Sequence, residues 1–156
     1  MDNNVLLNKF YTAFQNRDAK TMNSCYHKDV VFKDPAFGIL KGNRAKSMWA
    51  MLCKTGKDLE IKFSDIEVID HNGKVNWEAE YTFSATKKKV HNVVYAEFVF
   101  KDGKIIEHID TFSFKNWSSQ AFGIIGKLFG NSAFFQRQFQ ERANRLLDEY
   151  IKKNGK

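Results

Sequence analysis

The chain has little of what stiffens, cross-links or anchors a protein. It has one proline, Pro35, among 156 residues, and no Pro/Gly/Ser-rich linker divides it, so a single domain is expected over 1–156. Its two cysteines, Cys25 and Cys53, lie in separate segments with no CxxC spacing and no metal-type histidine cluster beside them. They read as reduced core thiols, not as a zinc site or a disulfide framework. No apolar run reaches the roughly 18 residues that a membrane span needs, so stable insertion is not expected. The start MDNNVLLNKF has neither the basic beginning nor the continuous apolar core of a secretory signal, and a cytoplasmic location is the expectation. Gly123, Gly126 and Gly130 lack the Gly-Lys-Ser/Thr ending of a phosphate loop. They read as close packing or chain turns, with a peripheral membrane or lid role for AFGIIGKLFGNSAFF as the alternative.

Aromatic residues are plentiful. Fifteen Phe, 5 Tyr and 3 Trp within a hydrophobic fraction of 43% suffice for a sizeable core and for a lined cavity as well. The balance of 25 Lys+Arg against 18 Asp+Glu gives a net charge of +7. The tight basic run is Lys87-Lys88-Lys89, at a predicted hairpin turn, and the other cations are scattered or interleaved with acids. That is the pattern of a solvated surface, and no nucleic-acid-binding signature accompanies it, so nucleic acid is not an expected partner. A basic C-terminal helix docking an acidic partner is a weaker option.

Val5, Leu6, Leu7, Phe10, Tyr11 and Phe14 recur at helical spacing and predict an amphipathic helix. Asp18 is placed to cap a short second helix carrying Met22, Cys25 and Tyr26. In DVVFKDPAFG, residues 29–38, Val30, Phe32 and Asp34 alternate with Val31 and Lys33 until Pro35 ends the strand. Asn43 is placed to cap a third helix with Ala45, Met48, Trp49 and Leu52 on one face, ended by Gly56. From Leu59 to Lys115 the period changes to two, broken at His71–Lys74, Thr86–Lys89 and Lys101–Lys104, which predicts a four-stranded antiparallel meander over 59–71, 74–85, 90–101 and 104–115. Strands of about 12 residues span roughly 40 Å, and sheets that long twist and curl. Asn131–Lys153 reads as a long amphipathic helix with a fraying IKKNGK tail.

The last predicted strand carries the oddest stretch, EHIDTFSF at 107–114. Alternation places Ile106, His108, Asp110, Phe112 and Phe114 on one face, so an imidazole and a carboxylate share the aromatic side. Burying such a pair costs free energy unless the groups are paired or hydrated. One reading is a carboxylate with a neighbouring imidazole that relays a proton. The other is a hydrogen-bonded pair that satisfies buried backbone or caps the wide end of the fold. Asp34 has two readings of its own, a pocket residue or an Asp-Pro turn whose carboxylate bonds the following amides. Tyr11, Phe32, Trp49, Trp77, Tyr81 and Phe112 are candidates for the walls of an apolar ligand site, or for core.

FYTAFQNRDAKTMNSCYHKDVVFKDPAFGILKG at 10–42 and GKIIEHIDTFSF at 103–114 resemble the nuclear-transport-factor-2-like superfamily, which includes ketosteroid isomerases, SnoaL-like polyketide cyclases and limonene epoxide hydrolases. The resemblance covers 3–116, and the tail WSSQAFGIIGKLFG resembles a bacterial group known as ketosteroid isomerase-related or SnoaL-like. It implies a cone-shaped α+β fold: N-terminal helices packed on a strongly curled, mostly antiparallel sheet, with a C-terminal helical extension over 117–156. It also implies a homodimer through the outer sheet face and a pocket for a small hydrophobic molecule.

By that resemblance Asp34 matches the general base of the isomerases. The position of their oxyanion-hole tyrosine falls at Phe10, and that of their protonated aspartate near Ala96, so a true steroid isomerase is not expected. Asp110 matches the acid/base aspartate of the cyclases, with His108 beside it. The Arg-Asp arrangement of the epoxide hydrolases is not reproduced. The expectation is cofactor-free acid/base chemistry on a small hydrophobic substrate by Asp110 and Asp34 with His108 assisting, with isomerisation, aldol-type cyclisation and hydration fitting equally, or a non-catalytic binding or interaction module built on the same pocket.

Overall fold

In the computed structural model, which describes residues 2–154, the first apolar stripe becomes helix α1 (Asn3–Gln15). The Asp2 carboxylate accepts from the Val5 amide at 3.0 Å, satisfying one of the free donors at the helix start. Asp18 caps α2 (Ala19–Ser24) as expected, accepting from the amide and hydroxyl of Thr21. Cys25 ends that helix, however, and Tyr26 is the first residue of strand β1 (Tyr26–Asp34) instead of the last of a helix. Beyond Pro35, Gly38 at φ 74° leads into a short strand, β2 (Gly38–Lys41), too brief for its alternation to be read. The cap of α3 (Asn43–Thr55) is Gly42 at φ 55°, and Asn43 is already helical. Ala45, Met48, Trp49 and Cys53 face inward from α3, and both thiols of the chain are free and buried.

The meander forms as β3 (Glu60–Ile69), β4 (Asn72–Phe83), β5 (Lys88–Lys101) and β6 (Lys104–Thr111). With β1 and β2 it makes one sheet in the order β2-β1-β6-β5-β4-β3, antiparallel throughout except for the β1–β6 pair, which is parallel. The strong curl expected of it is absent: the sheet is neither closed nor strongly curled. Asp102 and Gly103, both at positive φ, make the two-residue turn between the paired Lys101 and Lys104. The Asn-Gly signal misleads by two residues, since Ile69 pairs with Asn72 and the turn is Asp70–His71. Gly73 is needed inside β4 for packing: a Cβ there would lie 2.9 Å from Phe100 Cζ and 3.0 Å from Leu7 Cδ1.

Val75, Trp77 and Ala79 of β4, Ala96 and Phe98 of β5, and His108 and Asp110 of β6 face inward under α1 and α3. A bulge at Ile106, where Val99 pairs with Glu107 but Phe100 with Ile105, makes Ile105 and not Ile106 the buried neighbour of His108. The last strand also stops short of 115. The Ser113 hydroxyl accepts from the Asn116 amide at 3.1 Å and starts α4 (Phe114–Phe122), which carries Phe114 off the sheet. Phe114 and Trp117 form a second aromatic cluster with Phe83, Phe122, Phe135 and Phe139. α5 (Ile124–Phe129) lies directly on α4, and α6 (Ala133–Asn154) runs back over the β1–β2 turn and α3. The IKKN part of the predicted fraying tail is helical, and residues 155–156 lie outside the described residues.

The seat of α5 is set by glycine. A Cβ at Gly126 would fall 1.8 Å from the Ser118 carbonyl oxygen, a backbone atom with no room to yield. Gly126→Ala is expected to lower stability to chemical denaturation by about 2 kcal/mol or more through overpacking. A change below about 0.5 kcal/mol, the range of ordinary surface substitutions, would show that α5 is not seated on α4.

Candidate functional site

His108 is wholly buried, its ring stacked near Trp49 (5.9 Å between centroids, 14° between planes) and against Phe98 (4.4 Å, 35°), with Phe32 edge-on at 5.0 Å. An imidazole in such surroundings must have both nitrogens partnered. Nε2 lies 2.8 Å from Asp110 Oδ1, and Nδ1 lies 2.8 Å from the Tyr26 hydroxyl. The chain of bonds extends at both ends: the Trp49 indole donates to Tyr26 Oη at 2.7 Å, and the Trp77 indole donates to Asp110 Oδ1 at 3.2 Å.

The donor inventory orders the protons. Indoles only donate and a carboxylate only accepts, so Nε2 carries the proton shared with Asp110, and Nδ1 accepts from the Tyr26 O–H. Trp49 to Tyr26 to His108 to Asp110, with Trp77 closing on the same oxygen, is then one directed chain in which every donor has an acceptor. An imidazolium would leave the Tyr26 proton without an acceptor in that chain. Both sequence readings of the pair therefore meet a hydrogen-bonded pair in a core. Tyr26 and the indoles of Trp49 and Trp77 are the members that sequence reasoning missed as hydrogen-bonding groups. The exposed Lys28 breaks the alternation between Tyr26 and Val30, so no periodic signal marked Tyr26 as part of the strand.

Asp34 ends β1 on the same side. Phe32 sits beside His108 in the parallel β1–β6 register, which brings Asp34, two residues on, toward Asp110. Its Oδ1 accepts from the amides of Ala36 (2.9 Å) and Phe37 (2.7 Å), so the turn reading of Asp34 holds. Burial nevertheless pushes its carboxyl up to about 7, the Phe37 and Ala36 amides opposing and the charge of Asp110 adding to the rise. From outside, Gln136 and Gln140 of α6 donate to the Pro35 carbonyl and Asn144 to that of Phe37, so the turn is held on both sides.

Tyr11 contributes a different feature. Its ring stacks on Phe63 (5.4 Å, 27°), but its hydroxyl is buried with no hydrogen-bond partner among the described residues. Burial, then the nearby Asp110, hold the phenol well above its ordinary range, so it remains a proton donor. Of the other predicted wall residues, Phe32, Trp49 and Trp77 are packed in the core, while Tyr81 and Phe112 are partly buried where the two aromatic clusters meet. The Tyr81 hydroxyl accepts from the Trp117 indole at 2.7 Å, and burial pushes its pKa up to about 12. A concavity of about 370 Å³ lies elsewhere, lined by Asp58, Glu60, Glu80, Lys89 and His91, and Tyr81 alone of the predicted wall residues borders it.

Helices packed on one face of a six-stranded, mostly antiparallel sheet give the chain the nuclear-transport-factor-2-like fold. Solved structures share it, among them the following three. A nuclear-transport-factor-2-like protein of unknown function from Burkholderia pseudomallei K96243 aligns with a TM-score of 0.66 at 14% identity, over 78% of this chain and 99% of its own. An LEH-like epoxide hydrolase of M. tuberculosis gives 0.64 at 18%, over 79% and 92%. A protein of ketosteroid isomerase-like fold from Catenulispora acidiphila, in complex with trimethylamine, gives 0.65 at 9%, over 74% and 91%. No functionally curated protein matches the sequence. The model of the SnoaL-like domain matches residues 7–108, and the chain belongs to that family. Asp110 and α4 to α6 lie beyond the matched segment.

The raised carboxyl of Asp34 has a consequence for stability. The folded chain holds this proton more tightly than the unfolded chain, so its contribution turns unfavourable as pH rises from about 4 to about 7. Asp34→Asn keeps an oxygen for the two amides and removes the ionisation. It is expected to raise stability by on the order of 2 kcal/mol at pH 8, with the gain shrinking toward pH 4. Urea unfolding of both proteins across this range checks the sign, and a loss of stability at pH 8 would contradict it.

Proposed function

We propose that this protein is a cofactor-free acid/base catalyst acting on a small hydrophobic molecule, with the proton moving on Asp34. The observation that carries this reading is the placement of that one carboxyl: half-buried at the inward end of β1, its Oδ1 held by the Ala36 and Phe37 amides, and near enough to Asp110 for that charge to add to the desolvation that pushes it up to about 7. A group that titrates near neutrality takes and returns a proton with little thermodynamic penalty in either direction, which is what general acid/base work requires. Asp110 acts here as the fixed anion that raises the basicity of Asp34. His108, enclosed and with both nitrogens engaged, is a positioning residue for Asp110 and does not reach substrate. The unpartnered hydroxyl of Tyr11 supplies the hydrogen bond for an oxygen that gains charge as a neighbouring C–H is deprotonated. Phe10 and Ala96, which stand where the isomerases have their donors, offer none.

Tyr81 and Phe112, partly buried at the seam between the core and the C-terminal aromatic cluster, are the residues that a substrate of this site would displace on entry. Isomerisation and aldol-type ring closure both begin with such a proton abstraction. A second reading, a binding module without chemistry, is favoured by one observation: Tyr11, Phe32, Trp49 and Trp77 fill the inward face and are each less than a tenth exposed.

Proton abstraction is testable without the natural substrate. In D₂O, the protein is expected to catalyse deuterium incorporation next to the carbonyl of an apolar bicyclic ketone such as 2-tetralone, followed by NMR. Asp34→Asn should slow exchange by about 10²-fold or more, and Tyr11→Phe by about 10²-fold. Absence of catalysed exchange, or exchange indifferent to Asp34→Asn, would leave the binding reading in its place.

A further inference from the structure

α5 is built in the reverse sense of an ordinary surface helix, which buries its large apolar residues and shows its small or polar ones. Gly126 faces α4 so closely that no side chain fits, and Gly130 packs 2.6 Å, measured from a Cβ placed on it, from the Ser118 hydroxyl oxygen. The large residues have only the outside left to them. Ile124, Ile125, Leu128 and Phe129 are 76%, 58%, 70% and 52% exposed, and Phe134 at the start of α6 is 64% exposed. Five large apolar side chains within 11 residues are more than the scattered single exposures of a soluble surface.

The charge around this patch has one sign. From Thr111 to Gln140 there is no Asp or Glu, while Lys115, Lys127 and Arg137 fall within the stretch. The Lys88 side chain also reaches the start of α5, its Cε 3.4 Å from a Cβ placed on Gly123, and Lys87 and Lys89 flank it in the chain.

We propose that α5 and the residues flanking it form a peripheral docking surface for an anionic lipid bilayer, with Ile124, Leu128, Phe129 and Phe134 entering the acyl boundary and the lysines lying over the headgroups. Apolar residues on one side and cations at the rim are the two terms that hold an interfacial helix on such a surface. A second copy of the chain fits less well, because a two-fold pairing would set a patch rimmed by cations, with no Asp or Glu from Thr111 to Gln140, against itself. No helix of the described residues is long and apolar enough to cross a membrane, so the contact is peripheral. This docking does not depend on any chemistry at Asp34.

Co-sedimentation of the full chain with vesicles tests it, comparing phosphatidylcholine alone with phosphatidylcholine containing about one quarter phosphatidylglycerol, in about 0.1 M salt where exposed charges are only partly screened. The protein is expected to pellet with the anionic vesicles and to stay in solution with the zwitterionic ones. The double substitution Ile124→Asp and Leu128→Asp should weaken binding more than tenfold, roughly. Lys127→Gln, which leaves the apolar face intact, should weaken it about fivefold. Both changes are at exposed positions, and unchanged thermal unfolding would show that neither acts through the fold. Failure to bind anionic vesicles, binding indifferent to the aspartates, or a concentration-dependent dimer that the aspartates dissolve would each overturn the proposal.

Discussion

The hydrogen bond from His108 Nε2 to Asp110 Oδ1 is the contact on which the interior depends. A carboxylate 4% exposed among aromatic rings is tolerable only if its charge is answered, and the answer comes from an imidazole proton and an indole proton on the same oxygen. The imidazole is tolerable in turn because Tyr26 occupies its other nitrogen, and Tyr26 because Trp49 occupies its oxygen. One line of bonds thereby fixes α3, β1, β6 and β4 to each other. Its cost of assembly is met in the folded state alone, and loss of one partner would strand a polar group with on the order of 3 kcal/mol at stake.

The charge held in this way acts beyond its own bonds. It adds to the burial that raises the Asp34 carboxyl to about 7 and holds the Tyr11 hydroxyl well above its ordinary range. Asp34 is placed by a different device, a turn whose inner side is bonded by its own carboxylate and whose outer side is bonded by amides from α6. The family match ends at His108, so the helix that holds this turn belongs to the part of the chain outside the matched domain. The C-terminal helices thus serve two surfaces, an inner one on the Asp34 turn and an outer one on α5.

Much of this was legible in the sequence where side chains alternate without interruption. The inward row of β4 and the pairing of His108 with Asp110 both follow from period two, and Asp34 follows from the proline after it. What alternation could not show are the places where a single residue shifts the count. Lys28 hides Tyr26, the bulge at Ile106 exchanges it with Ile105, and Ser113 ends β6 by capping a helix before Phe114 can lie on the sheet. The parallel β1–β6 pair, which brings Asp34 toward Asp110, joins residues more than 70 positions apart and leaves no local trace. Tyr11 was visible as an aromatic residue, but only the packing around it shows that its hydroxyl is without a partner.

The ordered proton chain is tested most directly by the ¹⁵N spectrum of the His108 side chain at neutral pH. The account predicts a neutral ring with its proton on Nε2, bonded to Asp110, and an unprotonated Nδ1 shifted as an acceptor from Tyr26. A proton found on Nδ1, in the opposite tautomer or in an imidazolium, would contradict it.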